Sequence, residues 1–245
     1  MKDTMSLIAT WKSAYEPNNN LNTAKHTINF QGGIALEPDA SYEIAFDSID
    51  TYYSFPNIIE GKNNKFAYKK GVAKTVLSLA TGCYSIETIN SAIKEMLGND
   101  NDKITITSVI PQLKSGIDIT PNFAVDFTEP NSVNTVLGFD AKVLIQGYNI
   151  SDNIVNINRT NTIFINCDLV TGSYVNETRQ PVIYSFFPNV PPGYKIVEVT
   201  PRLTFLPLNR SRLDSITVWL SNQDNELINL RNDVVTVRFQ IRKRS

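Results

Sequence analysis

The chain has 245 residues, 42% hydrophobic, 10% aromatic and 19% charged, with a formal net charge of −1. That composition can bury a real core and lies outside the disordered range, while the near-neutral balance gives no overall drive toward nucleic acid or an anionic membrane. Two cysteines, Cys83 and Cys167, without CxxC spacing argue against a disulfide framework and for a reducing folding compartment.

The opening MKDTMSLIATWKSAYEPNNN lacks a continuous apolar core followed by a small-residue cleavage site, so no signal peptide is expected. No apolar run approaches the ~20 residues that span a bilayer. Residues 1–25 are expected to form an N-terminal arm, with Trp11 and Tyr15 ahead of the polar run Asn18-Asn19-Asn20. From His26 onward, 26–245 reads as a single β-sandwich domain.

HTINF (26–30) and SYEIAFDSIDTYYSF (41–55) are strand-like, with Tyr42, Ile44 and Phe46 on one face and Glu43, Ala45 and Asp47 on the other. EGKNNKFAYKKG (60–71) reads as a turn and short strand, and KTVLSLA (74–80) as another strand. SIETINSAIKEMLG (85–98) is a helix whose apolar stripe is Ile86, Ile89, Ile93, Met96 and Leu97. Ser85 is its N-cap and Gly98 its stop. A second helical turn is expected in PNSVNTVLGF (130–139), stopped by Gly138. Strand candidates lie between the helices at 103–110, 115–120 and 123–127. The stretch 81–140 is either an insertion into the sandwich or an elaborate connection within it.

After Phe139 the pattern is β throughout: 142–148, 153–158, 162–170, 181–187, 194–199, 202–208, 215–220 and 234–242. In the last of these Val235, Val237, Phe239 and Ile241 alternate with Thr236, Arg238, Gln240 and Arg242. So regular a strand is expected to pair inside a sheet. Short strands at near-even spacing, separated by Pro, Gly and Asn turns, indicate an all-β sandwich or barrel.

Reactive residues are sparse. His26 is the one histidine and sits in a strand pattern with no Gly-rich elbow beside it. Cys83 precedes the helix; Cys167 alternates with Ile163, Ile165 and Leu169 and fits a core position. NQDNE (222–226) places Asp224 and Glu226 two apart, as some calcium loops do, but lacks the remaining carboxylates and the fixed glycine, so a polar hairpin turn is the more economical reading. QGG (31–33) lacks the strand–loop–helix setting of a nucleotide site. Lys62, Lys65, Lys69 and Lys70 interleave with Phe66 and Tyr68, either as a single-strand-binding ribbon or, more economically, as a solvated strand–turn. No catalytic residue, cofactor or metal is expected. FPNVPPGYKI (187–196) is a stiff loop, either a contact surface or an ordinary crossover. Trp219, opposite in phase to Ile216, Val218 and Leu220, is either an interface anchor or a packed residue.

Several phrases in order carry a likeness: YEIAF…YYSFPNI (42–58), EGKNNKFAY (60–68), LGF (137–139), LVTGSYVN (169–176), FFPNVPPGYKIVEV (186–199) and LPLNRSRLDSITVWLSNQDNELINLRNDVVTVRFQIR (206–242). The succession resembles proteins of Polinton/Maverick-type elements, adintoviruses and related small double-stranded DNA viruses. That resemblance implies a jelly-roll virion protein. Such shells combine a double jelly-roll major capsid protein with a single jelly-roll penton, and this chain is too short, and without an internal repeat, for the double form.

A penton-type minor capsid subunit is therefore the expectation, located in the virion. Its partners would be copies of itself (a pentamer first, a trimer second) and the major capsid protein, with a host receptor as a further candidate. Trp11, Tyr15, Pro191, Pro192, Tyr194 and Trp219 are the expected interface residues. The arm should be removable without loss of the fold. A trimeric receptor- or glycan-binding spike using Tyr52, Tyr53 and Tyr174 is the alternative, and a two-carboxylate glycosidase ranks below both.

Overall fold

In a computed structural model that describes residues 4–13, 15–16, 21–22, 24–37, 39–157, 160–171, 173–175 and 177–244, the chain begins with a strand where the sequence suggests an arm. The strands before residue 56 are β1 (Thr4–Lys12), β2 (Tyr15–Glu16), β3 (Leu21–Asn22), β4 (Lys25–Ala35) and β5 (Tyr42–Tyr52). Next come β6 (Lys65–Lys70), β7 (Ala73–Ser78), helix α1 (Ile86–Leu97), β8 (Ile104–Val109), β9 (Lys114–Ile119), β10 (Phe123–Asp126), helix α2 (Asn134–Leu137), β11 (Val143–Leu144) and β12 (Gly147–Ile150). The chain continues with β13 (Ile163–Cys167), β14 (Ser173–Val175), β15 (Thr178–Gln180) and β16 (Val182–Phe186). It closes with β17 (Lys195–Val199), β18 (Leu206–Pro207), β19 (Arg212–Ser221) and β20 (Val234–Lys243).

The sequence reads as one domain over 26–245; the chain divides into two compact units, Met1–Phe55 with Thr160–Ser245, and Pro56–Arg159. Each has its own core. The helix-bearing stretch 81–140 lies within the second unit, which the chain enters after β5 and leaves before β13.

In the first unit, one sheet runs β1-β20-β5-β17, with β18 also on β5, and the other runs β16-β13-β19-β4. Pairings within both are antiparallel. Taken in chain order, the main strands β1, β4, β5, β13, β16, β17, β19 and β20 switch sheets at every step except β13 to β16. That winding is a jelly roll, the all-β sandwich expected from the sequence. The core between the sheets draws Leu7, Phe46, Ile49, Val237 and Phe239 from one layer and Ile165, Ile183, Ile216 and Val218 from the other.

β1 belongs to this core. Leu7, Ala9 and Trp11 are buried while Ser6, Ile8 and Thr10 face outward, the period-2 pattern of a half-buried strand. Trp11 is 5% exposed. In β5 the expected alternation holds for Ile44 and Phe46 and then changes phase. A bulge against β20 between Arg238 and Phe239 leaves Asp47 as the extra residue, so Ile49 and Thr51 take the inward positions. The QGG motif is another irregularity of this kind. Gly32 and Gly33 have φ of 77° and 68° where β4 loses register with β19.

The second unit holds two sheets, β11-β10-β6-β7 and β12-β9-β8. Helix α1 starts at a capping box: Thr88 N–H donates to Ser85 Oγ at 3.2 Å, and Ser85 N–H donates to Thr88 Oγ1 at 2.8 Å. Ile86, Ile89, Ile93 and Leu97 are buried as expected, but Met96 is 38% exposed and outside the stripe. Asn90 on α1 accepts Ile106 N–H at 2.8 Å, covering the outer edge of β8. The α2 turn ends at Gly138 with φ 80°, where a Cβ would lie 2.9 Å from the Ile154 carbonyl oxygen. The strand expected at 153–158 is absent over 153–157; residue 158 lies outside the described residues. The N–H groups of Asn153, Val155 and Asn156 donate to Gly138, Leu113 and Val136 in turn. Two of these acceptors belong to the α2 turn and its cap and the third lies before β9, so the bonds make no strand ladder.

Trp11→Ala should therefore cost about 3–5 kcal/mol, as other large-to-small core replacements do, measured as a shift in the urea unfolding midpoint. Deletion of residues 1–12 should abolish cooperative unfolding. A deletion that unfolds at the parent midpoint would return β1 to the status of an arm.

Candidate assembly surfaces

The residue types that might carry chemistry are dispersed. His26 points into the sandwich from β4 and stacks on Trp11, centroids 5.4 Å apart and planes 10° apart. Cys167 is buried, and desolvation pushes its thiol pKa up to about 12. Cys83 belongs to the second unit. The 222–226 loop is organised by Asn222, whose Oδ1 accepts the N–H groups of Asp224 and Glu226 at 3.0 and 2.9 Å. Among the described residues no group of three or more His, Cys, Asp or Glu is placed to hold a metal ion.

Two lysines of the ribbon, Lys69 and Lys70, pair with carboxylates, as does Lys74 on the neighbouring β7. Lys69 and Lys74 pair with Asp126 at 3.4 and 3.1 Å, Lys74 also with Glu129 at 2.8 Å, and Lys70 with Asp100 at 2.8 Å. The Asp126 carboxylate is held well below the usual range, first by the Thr128 hydroxyl, which donates to it at 2.5 Å, and then by Lys74, against an opposing desolvation. Lys69 and Lys70, committed to carboxylates, are weakened as members of a basic track.

Of the expected interface residues, three share a place. Pro191, Pro192 and Tyr194 are exposed in the loop between β16 and β17, with Tyr194 at 64%. The loop is fixed by backbone bonds: Gly193 N–H donates to the Tyr53 carbonyl at 2.8 Å and Tyr53 N–H to the Tyr194 carbonyl at 2.9 Å. Gly193 has φ 87°, which a side chain would strain. Trp219 sits on the outer face of the other sheet, half-buried, with Lys25 Nζ 5.1 Å from its ring centroid. Trp11 is in the core, as described above, because its strand alternation places it there. Tyr15 lies in β2, opposite Asn22. Of the tyrosines considered for a spike, Tyr53 is buried and stacked on Phe55, while Tyr52 and Tyr174 are exposed.

Four apolar residues absent from the expected set surround the loop. Phe187 is 71% exposed, and Val197, Val199 and Tyr52 lie on the outward face of the β5–β17 pair. YKIVEV carries the signal, because Ile196 is apolar in one phase and Val197 and Val199 in the other. A strand apolar on both faces is either covered twice or made to be covered. Elsewhere on that sheet's outward face Arg238 binds Asp50 at 2.6 Å and Arg242 binds Glu43 at 2.5 Å, while Ile8 of β1 is a further exposed apolar residue.

A jelly roll interrupted after β5 by a second unit is thus the class of architecture this chain has. The solved structure of the mavirus penton protein has a similar fold, with a TM-score of 0.50 at 12% identity, over 99% of this chain and 100% of that one. No family model matches the sequence, and no curated protein matches it. At 12% identity the likeness speaks for the fold.

Asp126 provides a pH test. Its depressed pKa stabilises the folded chain above the unfolded carboxylate value of about 4, and that contribution is lost as pH falls below it. Asp126→Asn should lower stability at pH 7 by about 1–3 kcal/mol and flatten the loss of stability below pH 4. Urea titrations of both proteins between pH 7 and pH 3 measure the difference. Parallel curves would mean the ion pairs contribute nothing to folding.

Proposed function

We propose that this chain is a non-enzymatic structural protein of a virion, a penton-type minor capsid subunit that assembles with copies of itself. The observation that carries the reading is the end-to-end fold correspondence with a solved penton protein, which includes both units of this chain. The dispersal of His26, Cys83 and Cys167 and the pairing of Lys69 and Lys70 with carboxylates agree with it. The ordered phrases that resemble Polinton/Maverick-type proteins point the same way.

Assembly follows from two unlike surfaces. The β16–β17 loop with Tyr194, Val197 and Val199 lies along one sheet edge, and Trp219 lies on the outer face of the opposite sheet. Unlike patches meet head to tail, and such contacts close into rings when the rotation allows. A pentamer is the first expectation and a trimer the second, with the major capsid protein of the same virion as the outer partner. No direct contact with nucleic acid is part of this reading.

Light scattering of the purified protein over a range of concentrations should give the mass of a discrete pentamer. Tyr194→Asp combined with Val197→Asp should reduce it to monomer with unchanged unfolding midpoint, since both side chains are more than half exposed. A trimer insensitive to these changes would favour a spike, and a monomer at all concentrations would make assembly depend on other virion components.

A further inference from the structure

We infer that the outward face of the β12-β9-β8 sheet is a carbohydrate platform for a neutral pyranose, centred on Tyr148. Register places six residues there. Tyr148 stands opposite Asp118, and Asp118 opposite Thr105; Ile150 stands opposite Gly116, and Gly116 opposite Thr107. Ile117 and Ile119, in the other phase of β9, are buried in the core of this unit.

The glycine determines how the tyrosine lies. A Cβ on Gly116 would sit 2.5 Å from Tyr148 Cζ and 2.8 Å from Cε2, so the ring rests on the bare backbone of β9. A ring over a cross-strand glycine shields backbone, and that role uses one face of the ring. Tyr148 nevertheless remains 56% exposed, and Asp118 beside it is exposed too. The outcome is an aromatic ring seated beside an exposed carboxylate, with the Thr105 hydroxyl beyond it and the Thr107 hydroxyl turned to the Gly116 carbonyl at 3.5 Å.

Those groups match the chemistry of a sugar ring. The C–H bonds of a pyranose carry partial positive charge and suit the negative face of the aromatic ring. Hydroxyls at the sugar's edge are donors, and Asp118 is an acceptor with room for two of them. A tyrosine already held in place loses little side-chain freedom on binding. Asp118 also selects: an acidic sugar would meet a like charge, so neutral hexosides are the class that fits. Lys114, on the same strand, is turned to the Asp152 carbonyl at 3.0 Å. The inference stands independently of the capsid role.

Saturation-transfer NMR on the full chain with methyl glycosides of glucose, galactose and mannose tests it. Transfer should reach the ring C–H protons of at least one of them. It should persist in Tyr148→Phe and disappear in Tyr148→Ala. Should Tyr148→Ala unfold by uncovering Gly116, Asp118→Lys keeps the ring seated and should abolish transfer by removing the acceptor. No transfer to any of the three glycosides, or transfer undiminished in Asp118→Lys or in folded Tyr148→Ala, would overturn the assignment.

Discussion

Strand β20 has a neighbour along both edges and a partner on both faces, and the first unit is assembled around it. Its edges bind β1 and β5. Inward, Val235, Val237, Phe239 and Ile241 are 0–1% exposed. Outward, Thr236 meets Thr10 at 3.0 Å, Arg238 meets Asp50 at 2.6 Å, and Gln240 accepts from Ser6 at 3.1 Å. The polar outer ladder fixes the same register that the apolar inner one requires. A one-residue slip would break both at once, because the side-chain period is 2. Without β20, β1 and β5 have no common support.

The parts of the fold legible in the sequence are those where one local rule decides the outcome. β20 alternates without interruption. The α1 helix has its cap, stripe and glycine stop in one continuous segment, and only Met96 departs, lying at the stripe's margin. β1 was obscured by its composition. Ala9 is a weak hydrophobe, and Ser6, Thr10 and Lys12 resemble the polar run that follows, although Leu7, Ala9 and Trp11 keep strict phase. The Asp47 bulge has no local sign. It arises from the pairing of β5 with a strand nearly two hundred residues later, as the Phe46–Phe239 pair shows. The segment 153–157 looks alternating, but its N–H groups are taken by the α2 turn and by Leu113 rather than by a neighbouring strand.

The candidate surfaces were legible in a similar, partial way. Three prolines within six residues and a positive-φ glycine define the 188–193 loop locally, so its exposure could be anticipated. Simple counting along β19 puts Trp219 in the outward phase. The pairing of Lys69 and Lys74 with Asp126 could not be anticipated, because it depends on β10 lying beside β6. The seat of Tyr148 depends likewise on the registration of β12 against Gly116. In each case a long-range strand neighbour decides what a local residue does.

The entry of the second unit between β5 and β13 has a consequence for the order of events during synthesis. The second unit is one uninterrupted stretch, and its strands pair with partners nearby in sequence. It can complete its core before β20 has emerged from the ribosome. The first unit cannot, because β1 has no partner until β20 emerges. Until then the inward residues of β1, β4 and β5 wait, joined to the strands still to come through the connection that the second unit forms. Doubling the length of such a connection would add only about 0.6 kcal/mol to the entropy of closing it. The delay exposes apolar strands to solvent, and it is at that stage that a chaperone would have the most surface to bind.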